Sequence, residues 1–350
     1  MGYYFFQAKR SLKRFVFTPY FGVRKFVNAV GLFAQFGLFK NSHVYGYPLK
    51  VSIDPSSVCQ LRCPLCPTGQ GSKGRSLGKM AFGDFRRIVD ELAPYLYEID
   101  LNNWGEPFLN KELIQMIEYC HRKRMRTSVN TNLNVKLSEA EAKALVESGL
   151  DVLYISMDGI TQATYEQYRK GGNLKTVWDN IRLVARKKKE LGKNNPWIVW
   201  QFLVSNKNEH EIPGLEKVKK DLAVNELAIG MIRSDMGKEI YTMDEDKVKS
   251  MKKWLPGNES LSRYDYGKKQ RKLKKEYCHF LWFVSVVNWN GSVSPCCANY
   301  FEKNDFGNAL DDSFKSVWNN EKYVAARKAV ASKRPTGTVC DNCLKTGFID

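Results

Sequence analysis

Six strand-like segments alternate with helix-like segments from residue 49 onward, and this alternation constrains the fold of the 350-residue chain more than any other feature. The apolar patterns predict strands at 49–54, 98–103, 126–131, 152–157, 197–204 and 226–232. Helical spacing predicts helices at 82–96, 138–148 and 173–192, the second of which opens with a capping box of Ser138 and Glu141. Such alternation predicts an α/β fold of parallel strands covered by helices, with the chemistry at the carboxyl ends of the strands.

Three cysteines follow the first predicted strand in "VCQLRCPLCPTG", where Cys59, Cys63 and Cys66 are spaced C-x3-C-x2-C. The chain has nine cysteines and no cleavable signal pattern, which favours metal binding in a reducing compartment over disulfides. Iron–sulfur cubanes are usually held by four thiolates, so three thiolates leave one iron open to a substrate or cofactor. A zinc knuckle is the alternative, but no further cysteine lies between Cys66 and Cys120.

This cysteine loop after a first strand resembles the signature of the radical S-adenosylmethionine enzymes. The resemblance implies a [4Fe-4S] cluster on Cys59, Cys63 and Cys66, whose open iron binds the amino and carboxylate groups of S-adenosylmethionine. In that family an electron from the cluster cleaves the cofactor to methionine and a 5′-deoxyadenosyl radical, which abstracts a hydrogen atom from substrate. The resemblance also implies a partial (β/α)6 TIM barrel, and the number of predicted strands, six, agrees with that fold.

The turns after the second and third strands carry motifs of the same family. In "NNWGEPFLN", Gly105, Glu106 and Pro107 resemble the glycine–glutamate motif that holds the methionyl amino group. A carboxylate and exposed carbonyls suit an ammonium group, and glycine allows the backbone to approach closely. In "VNTNLN", Asn130 and Asn132 either line the cofactor pocket or only cap the loop.

The fourth strand ends in "YISMDG", which is similar to the family's Ser-x-Asp-Gly. The resemblance implies that Ser156 and Arg169 bind the methionyl carboxylate, since a planar guanidinium suits that anion. Asp158 is expected to shape the turn or to meet the ribose, and Gln201 on the fifth strand points either inward or outward.

A second cysteine group resembles the SPASM and twitch extensions of radical enzymes, which implies a small α+β iron–sulfur domain after the barrel. Cys278 and Cys296 stand in a C-x12-G-x4-C element, and Cys340 and Cys343 follow an amphipathic helix in "VCDNC". These four imply an auxiliary [4Fe-4S] cluster, whereas the alternative is a zinc ribbon. Cys297 is expected to be a buried structural thiol rather than an alternative ligand. We expect Cys120 to lie in the core.

The predicted organisation is a basic amphipathic segment at 1–48, the barrel at 49–235, a charged linker at 236–277 and the auxiliary domain at 278–350. The net charge is +18, and residues 1–50 carry eight Lys or Arg and no acidic residue. The N-terminal segment is therefore expected either to lie on an anionic membrane surface or to cap the barrel. A second basic run, "KKQRKLKK" at 268–275, is taken as a solvated surface, and nucleic acid is not an expected partner. We expect a cytoplasmic protein, with a peripheral site on the inner membrane face as the finer alternative.

The family motifs predict the reaction class better than the substrate. The first hypothesis is a radical oxidoreductase or epimerase of a sugar, a polyol or a lipid-linked glycan. The second is a maturase of a ribosomally synthesised peptide, and the third is a non-catalytic scaffold. A reductant such as flavodoxin or ferredoxin is the expected protein partner. Arg233, at the end of the sixth strand, is expected either to contact substrate or to pair with Asp235.

Overall fold

One open nine-stranded sheet organises the computed structural model, which describes residues 18–233, 253–268, 270–272 and 277–346. Its strands are β1 (Lys50–Ile53), β2 (Glu98–Leu101), β3 (Arg126–Thr131), β4 (Val152–Ser156), β5 (Trp197–Val204), β6 (Glu226–Met231), β9 (Val284–Val287), β10 (Ser292–Ser294) and β11 (Gly307–Asn308). Two short strands, β7 (Tyr264–Asp265) and β8 (Gln270–Arg271), form a separate antiparallel pair.

The strand order across the sheet is β11-β10-β9-β1-β2-β3-β4-β5-β6. Strands β1 to β6 pair in parallel with their neighbours, and β9 adds in parallel to the other side of β1. Strands β10 and β11 then pair antiparallel. The sheet does not close, so the prediction of a partial barrel is confirmed, with the hairpin of the C-terminal region extending the same sheet.

Helices cover the outer side of the parallel strands and account for the helical spacing in the sequence. They are α1 (Val23–Ala34), α2 (Phe82–Leu92), α3 (Leu113–Arg122), α4 (Glu139–Glu147), α5 (Gln162–Tyr168), α6 (Leu174–Glu190), α7 (Leu215–Asp221), α8 (Phe280–Phe283), α9 (Phe314–Trp318), α10 (Glu321–Ser332) and α11 (Asp341–Thr346). A π-helical turn, Gln35–Phe39, continues α1.

Local signals explain where these helices begin and end. Helix α4 begins with the predicted capping box, in which Ser138 and Glu141 satisfy each other's backbone amides. Helix α2 ends at Leu92 rather than at residue 96, because Pro94 has no amide hydrogen to donate to the preceding turn and cannot continue the helical hydrogen bonds.

Helix α1 lies across the amino ends of the strands. The Lys25 ammonium donates to the carbonyl of Arg124, just before β3, at 2.6 Å. The Tyr20 hydroxyl donates to Asp151, just before β4, and the Phe33 ring packs 4.9 Å from that of Phe283, just before β9. These contacts show that the inner face of α1 caps the barrel, and the membrane alternative for the N-terminal segment stays a prediction. The helices of the described ranges contain no segment with the length and apolar character that a membrane span needs.

Three predictions fall outside the described residues. They concern the start of the N-terminal segment at 1–17, the first part of the charged linker at 236–252, and half of the basic run at 268–275. The alternative pairing of Arg233 with Asp235 lies there as well.

Candidate active site

The loop after β1 brings Cys59, Cys63 and Cys66 together at the carboxyl end of the strands. Cys63 is buried, and the other two are partly exposed. The Cys66 amide donates to the Cys63 carbonyl at 3.2 Å, which closes a tight turn between these ligands. Burial raises the pKa of Cys59 and Cys63 most, and the neighbouring thiols add to both shifts, so the three thiols lie close together.

Two side chains from other parts of the barrel, one just after β3 and one at the end of α5, donate hydrogen bonds to these sulfurs. The Asn132 Nδ2 lies 3.6 Å from the Cys59 Sγ, and the Arg169 Nη1 lies 3.8 Å from the Cys63 Sγ. Donors of this kind stabilise thiolate ligands and tune the potential of an iron–sulfur cluster. The donor set, with three thiols and two hydrogen bonds to sulfur, therefore fits a site-differentiated cluster.

Burial favours the protonated form of the Cys59 and Cys63 thiols. It raises the pKa of Cys59 to about 12 and that of Cys63 to about 11, although the Arg169 guanidinium opposes the shift at Cys63. Cluster ligands must be deprotonated, so loading this site releases protons.

The Gly105–Glu106 turn packs against the cysteine loop so closely that no other residue fits at position 105. A Cβ there would lie 1.8 Å from the Ser56 carbonyl oxygen, and the Glu106 amide donates to the Val58 carbonyl at 2.8 Å. The Glu106 carboxylate is buried and accepts from the Thr131 hydroxyl at 2.5 Å and from the amides of Phe108 and Asn132. Its observed role is therefore to join the second and third strand-end loops, and Pro107 opens a 3-10 turn beside it. Contact of this turn with the cofactor ammonium stays a prediction.

The side chains at the ends of β3, β4 and β5 form a hydrogen-bonded chain across the barrel interior. The Ser156 hydroxyl donates to Asn130 at 3.0 Å, and the Asn130 amide donates to Gln201 at 2.9 Å. Gln201 therefore points inward, which strand alternation alone left open. The Asn132 Oδ1 caps the loop by accepting from the Asn134 amide at 2.9 Å. Its Nδ2 donates to the Cys59 sulfur, and contact of this side chain with the cofactor stays a prediction.

Asp158 fixes Arg169 at the edge of the cysteine loop. Its buried carboxylate accepts from the Arg169 Nε at 2.7 Å and from the Leu203 amide at 2.7 Å. This pairing leaves the outer edge of the guanidinium directed at Cys63. Asp158 thus shapes the turn, one of its two predicted roles, and it also orients the arginine predicted to bind the methionyl carboxylate.

A buried network joins the cysteine loop to the C-terminal hairpin, and the sequence analysis missed it. Arg75 is buried and paired with Asp305 at 3.0 Å, and it donates to the Tyr300 carbonyl at 2.5 Å. Asn288 and Ser294 also bind Asp305. A single arginine within a loop gives no sequence signal for such a contact, because its partners belong to a distant part of the chain.

Asp54, at the end of β1, is the second residue that the sequence analysis missed. It is fully buried, and neither carboxylate oxygen has a hydrogen-bond partner of good geometry among the described residues. Burial raises the pKa of Asp54 to about 7, while the Arg75 charge and nearby backbone amides oppose the shift only in part. The inward alternation of Lys50, Ser52 and Asp54 in "KVSID" was the signal that could have identified it.

Replacing Asp54 with asparagine should remove a pH dependence of stability. Because the pKa of this carboxyl is higher in the folded protein than in the unfolded chain, its contribution to the unfolding free energy is full below about pH 4 and is lost as the pH rises towards about 7. The melting temperature of Asp54→Asn should therefore gain on that of the wild type between about pH 4 and pH 7. Anaerobic thermal melts of both proteins measure this, with exposed Asp221→Asn as the control. A constant difference between the two proteins would contradict the assignment.

Charged and hydroxyl groups line the barrel interior below the cofactor loops. The Lys50 ammonium pairs with Asp100 at 2.6 Å, and the Ser128 hydroxyl donates to the same carboxylate at 2.6 Å. Arg126 pairs with Glu98 at 3.6 Å. All five residues lie on alternate positions of paired strands, so they share one face of the sheet.

Arg233 has two buried nitrogens, Nε and Nη2, that lack a hydrogen-bond partner in the described part of the chain. The Arg233 and Lys50 charges lie close enough to act on the Cys297 thiol. Arg233 and Lys50 therefore both lie near Cys297, on the side of the auxiliary cysteines that faces the barrel.

The second cysteine group converges on one pocket although its members stand far apart in the sequence. Cys278, Cys296, Cys340 and Cys343 line it together with apolar side chains such as Leu281 and Val330. Burial and the other three cysteines, together with Cys297, raise the pKa of Cys296 well above its usual value. Four neighbouring thiols in an apolar pocket fit a fully ligated [4Fe-4S] cluster.

Cys297 differs from the expectation of a buried thiol. It is exposed and lines the same pocket. It follows Cys296 directly, and the charged groups that act on it belong to the barrel interior. Cys120, by contrast, is fully buried in the core on α3, as predicted.

Two family models match the chain. Residues 53–199 match the radical SAM superfamily, and residues 278–344 match SPASM, an iron–sulfur cluster-binding domain. Together the matches span more than half of the 350 residues. The second match is to an iron–sulfur domain, which favours the cluster over the zinc ribbon.

The chain is also similar to characterised proteins over most of its length. It is 24% identical to the tungsten-containing aldehyde ferredoxin oxidoreductase cofactor-modifying protein of Pyrococcus furiosus, over 78% of this chain and 81% of that protein. It is 22% identical to the PqqA peptide cyclase of Bradyrhizobium diazoefficiens, over 88% and 80% of the two chains. Among solved structures it resembles Streptococcus suis SuiB with a TM-score of 0.61 and 16% identity, over 87% and 72% of the chains, which is a similarity of fold.

Proposed function

Because this chain belongs to the radical S-adenosylmethionine superfamily and carries a SPASM iron–sulfur domain, we propose that it removes a hydrogen atom from a sugar or polyol, free or lipid-linked. The product would be an oxidised or epimerised form of that substrate. Members of the superfamily are enzymes, and two [4Fe-4S] clusters and S-adenosylmethionine are the cofactors that its two domains imply. A reductant is required, for which flavodoxin or ferredoxin is our proposal.

The residues proposed to hold the cofactors are those whose geometry is described above. Cys59, Cys63 and Cys66 would bind the first cluster, and the reductive cleavage of S-adenosylmethionine is the chemistry that this cluster supplies. Ser156 and Arg169 would hold the methionyl carboxylate, since Asp158 already directs the guanidinium at the cysteine loop. Asn132 would keep its hydrogen bond to the Cys59 sulfur.

The polar lining of the barrel is the observation that carries the choice of substrate. The inward faces of β1, β2 and β3 present Lys50 and Asp100, which remain partly accessible, and Ser128, which is buried and bonded to Asp100. The Asn130–Gln201 pair continues this lining on β5. Hydroxyl groups both donate and accept, so a sugar or polyol could replace these mutual bonds one for one.

Arg233 also supports a sugar or polyol substrate, because its Nε and Nη2 make no hydrogen bond within the described part of the chain. Unpaired buried donors cost free energy until a partner arrives, and two nitrogens of this guanidinium lack one among the described residues. The side chain lies near Cys297, at the boundary between the barrel and the auxiliary pocket. We therefore propose that Arg233 binds a hydroxyl, carboxylate or phosphate of the substrate.

Replacing Arg233 with alanine should separate cofactor cleavage from substrate turnover. The variant should still form 5′-deoxyadenosine without substrate, whereas product formation should fall about 100-fold, because a misplacement of about 1 Å has that effect on rate. Both products can be quantified in the same anaerobic reaction. Arg182→Ala, on the outer surface of α6, is the matched control. Loss of both activities together with a lower melting temperature would contradict a role in substrate binding.

A peptide substrate is the second candidate, and the relatives favour it. The PqqA peptide cyclase is similar over most of both chains, and a fold neighbour was solved with its precursor peptide bound. The polar barrel lining favours the sugar because it offers few apolar contacts for side chains. The apolar inward cluster of Val152, Val199 and Ala228 is small.

Deuterium transfer distinguishes the two candidates. Extracts of the source organism grown in deuterated medium are incubated with the enzyme and unlabelled S-adenosylmethionine, and deuterium in 5′-deoxyadenosine reports the fraction that holds the substrate. Under our proposal the signal survives prior protease digestion of the extract and is lost after periodate oxidation of vicinal diols. Loss of the signal after protease treatment alone would favour the peptide.

A further inference from the structure

Helix α1 buries polar side chains and exposes apolar ones, which is the reverse of an ordinary surface helix. Lys25 and Asn28 face the barrel and are buried. Lys25 donates to the Arg124 carbonyl, and Asn28 forms two 2.8 Å hydrogen bonds with the backbone of Tyr47. The inner face is thus held by side-chain bonds to backbone, which fix how the helix lies on the amino ends of the strands.

The outer face of α1 is apolar and open to solvent. Val23 is 72% exposed, Val27 63% and Val30 52%, and Phe21 and Phe26 add aromatic surface on the same side. The valines stand at positions i, i+4 and i+7, so they form one stripe along the helix. A surface helix normally turns such a stripe towards the core, and a contiguous exposed apolar stripe indicates a binding surface.

Cations surround this stripe. Arg24 is exposed on the helix itself, and Arg124 beside its N-terminal end donates to the Pro19 carbonyl at 3.0 Å. At the other end the Lys40 and Lys333 ammonium groups both lie over the Tyr277 ring. Lys123 nearby is neutralised by Asp90, at 2.5 Å.

We propose that the apolar stripe of α1, with the cations around it, is a docking surface for an anionic lipid membrane. Residues 1–50 contain no carboxylate side chain that would repel such a surface, and each Lys or Arg near it adds to the attraction. A second copy of the chain is a poorer occupant, because it would bring an identical cationic rim and a net charge of +18 against the first.

The docking surface lies at the opposite end of the barrel from the cofactor loops. Helix α1 contacts residues that precede β3, β4 and β9, whereas the cysteine loop follows the carboxyl end of β1. Membrane binding through α1 therefore leaves the cysteine loop free, and the two functions can be tested separately.

Vesicle co-sedimentation of the full-length protein tests the proposal. We expect binding to vesicles made of equal parts phosphatidylcholine and phosphatidylglycerol at low salt, release at high salt, and no binding to phosphatidylcholine alone. The triple variant Val23→Ser, Val27→Ser and Val30→Ser should lose binding at least about tenfold, since each buried apolar group contributes. Arg24→Gln should weaken it about fivefold.

Controls keep the result interpretable. Leu77→Ser removes an exposed apolar side chain elsewhere and should bind as the wild type does. All variants should keep their melting temperature and 5′-deoxyadenosine formation, because the changed side chains are exposed. Equal binding of the wild type and the triple variant, equal binding to both vesicle types, or no binding to either would overturn the proposal. A wild-type dimer that becomes a monomer in the triple variant would overturn it in favour of self-association.

Discussion

The Cys63→Ala variant, reconstituted with iron and sulfide, is expected to form no 5′-deoxyadenosine from S-adenosylmethionine, whereas the reduced wild type forms it readily. Cys63 is the buried member of the three-cysteine loop, and its sulfur accepts a hydrogen bond from the Arg169 guanidinium. With two thiolates left, the loop would no longer hold a [4Fe-4S] cluster, and bound iron should fall from about eight to about four per chain.

Cys120→Ala is the matched control for this experiment. Cys120 is equally enclosed but lies in the core on α3, away from both cysteine groups. Its replacement should cost stability through a small cavity and leave iron content and 5′-deoxyadenosine formation unchanged. If a variant with Cys59, Cys63 and Cys66 all replaced by alanine still cleaves the cofactor, the site has been assigned to the wrong residues.

The fold was predictable because its signals are periodic and local. All six barrel strands lie where alternating or continuous apolar residues predicted them, and the capping box at Ser138 fixed the start of α4. The extension of the sheet by β9 was not predictable. Its parallel pairing with β1 joins segments that are far apart along the chain, and no local pattern encodes that register.

The candidate site was predictable where residue type alone decides the chemistry. Thiols at C-x3-C-x2-C spacing have few uses, so the sequence alone predicts Cys59, Cys63 and Cys66 as cluster ligands, and that role stays a prediction. The role of Glu106 was less predictable, because its carboxylate could reach either a bound ammonium or the amides of a neighbouring loop. The structure shows that it binds Thr131 and Asn132 of the third strand-end loop.

Residues whose contacts lie far away in the sequence were missed because no local pattern identifies those contacts. Arg75 stands in a loop without an apolar pattern, and its pairing with Asp305 appears only once the hairpin has folded onto the barrel. Cys297 was expected to be buried because free cysteines usually are. It is exposed because it follows a ligand-bearing turn at the rim of the auxiliary pocket.

The two cysteine groups should contribute separately to the bound iron. Replacing cysteines of the auxiliary group is the second change with a large expected effect. Cys340→Ala together with Cys343→Ala removes both thiols that α11 and the turn before it bring to the pocket. We expect bound iron to fall from about eight to about four, with the loss confined to the auxiliary cluster. Formation of 5′-deoxyadenosine should persist, because neither residue lies in the Cys59–Cys66 loop.

Product formation and stability should both fall in this double variant. The four pocket cysteines come from before β9, after β10 and the C-terminal helix, so a cluster bound to them would tie three separate segments together. Its binding free energy would then add to the stability of the fold. Iron analysis, single-turnover product assays and anaerobic thermal melts measure the three effects on one preparation.

Cys297→Ser is the control that decides which of the adjacent cysteines is the ligand. Cys296 interacts with all of the other pocket thiols, whereas the Arg233 and Lys50 charges act on Cys297. We therefore expect Cys297→Ser to keep about eight irons and Cys296→Ser to lose about half of them. Equal loss in both variants would mean that the two thiols exchange as ligands. A wild type that saturates with about four irons and one zinc would show that the second pocket is a zinc site, since four thiolates suit that ion equally well.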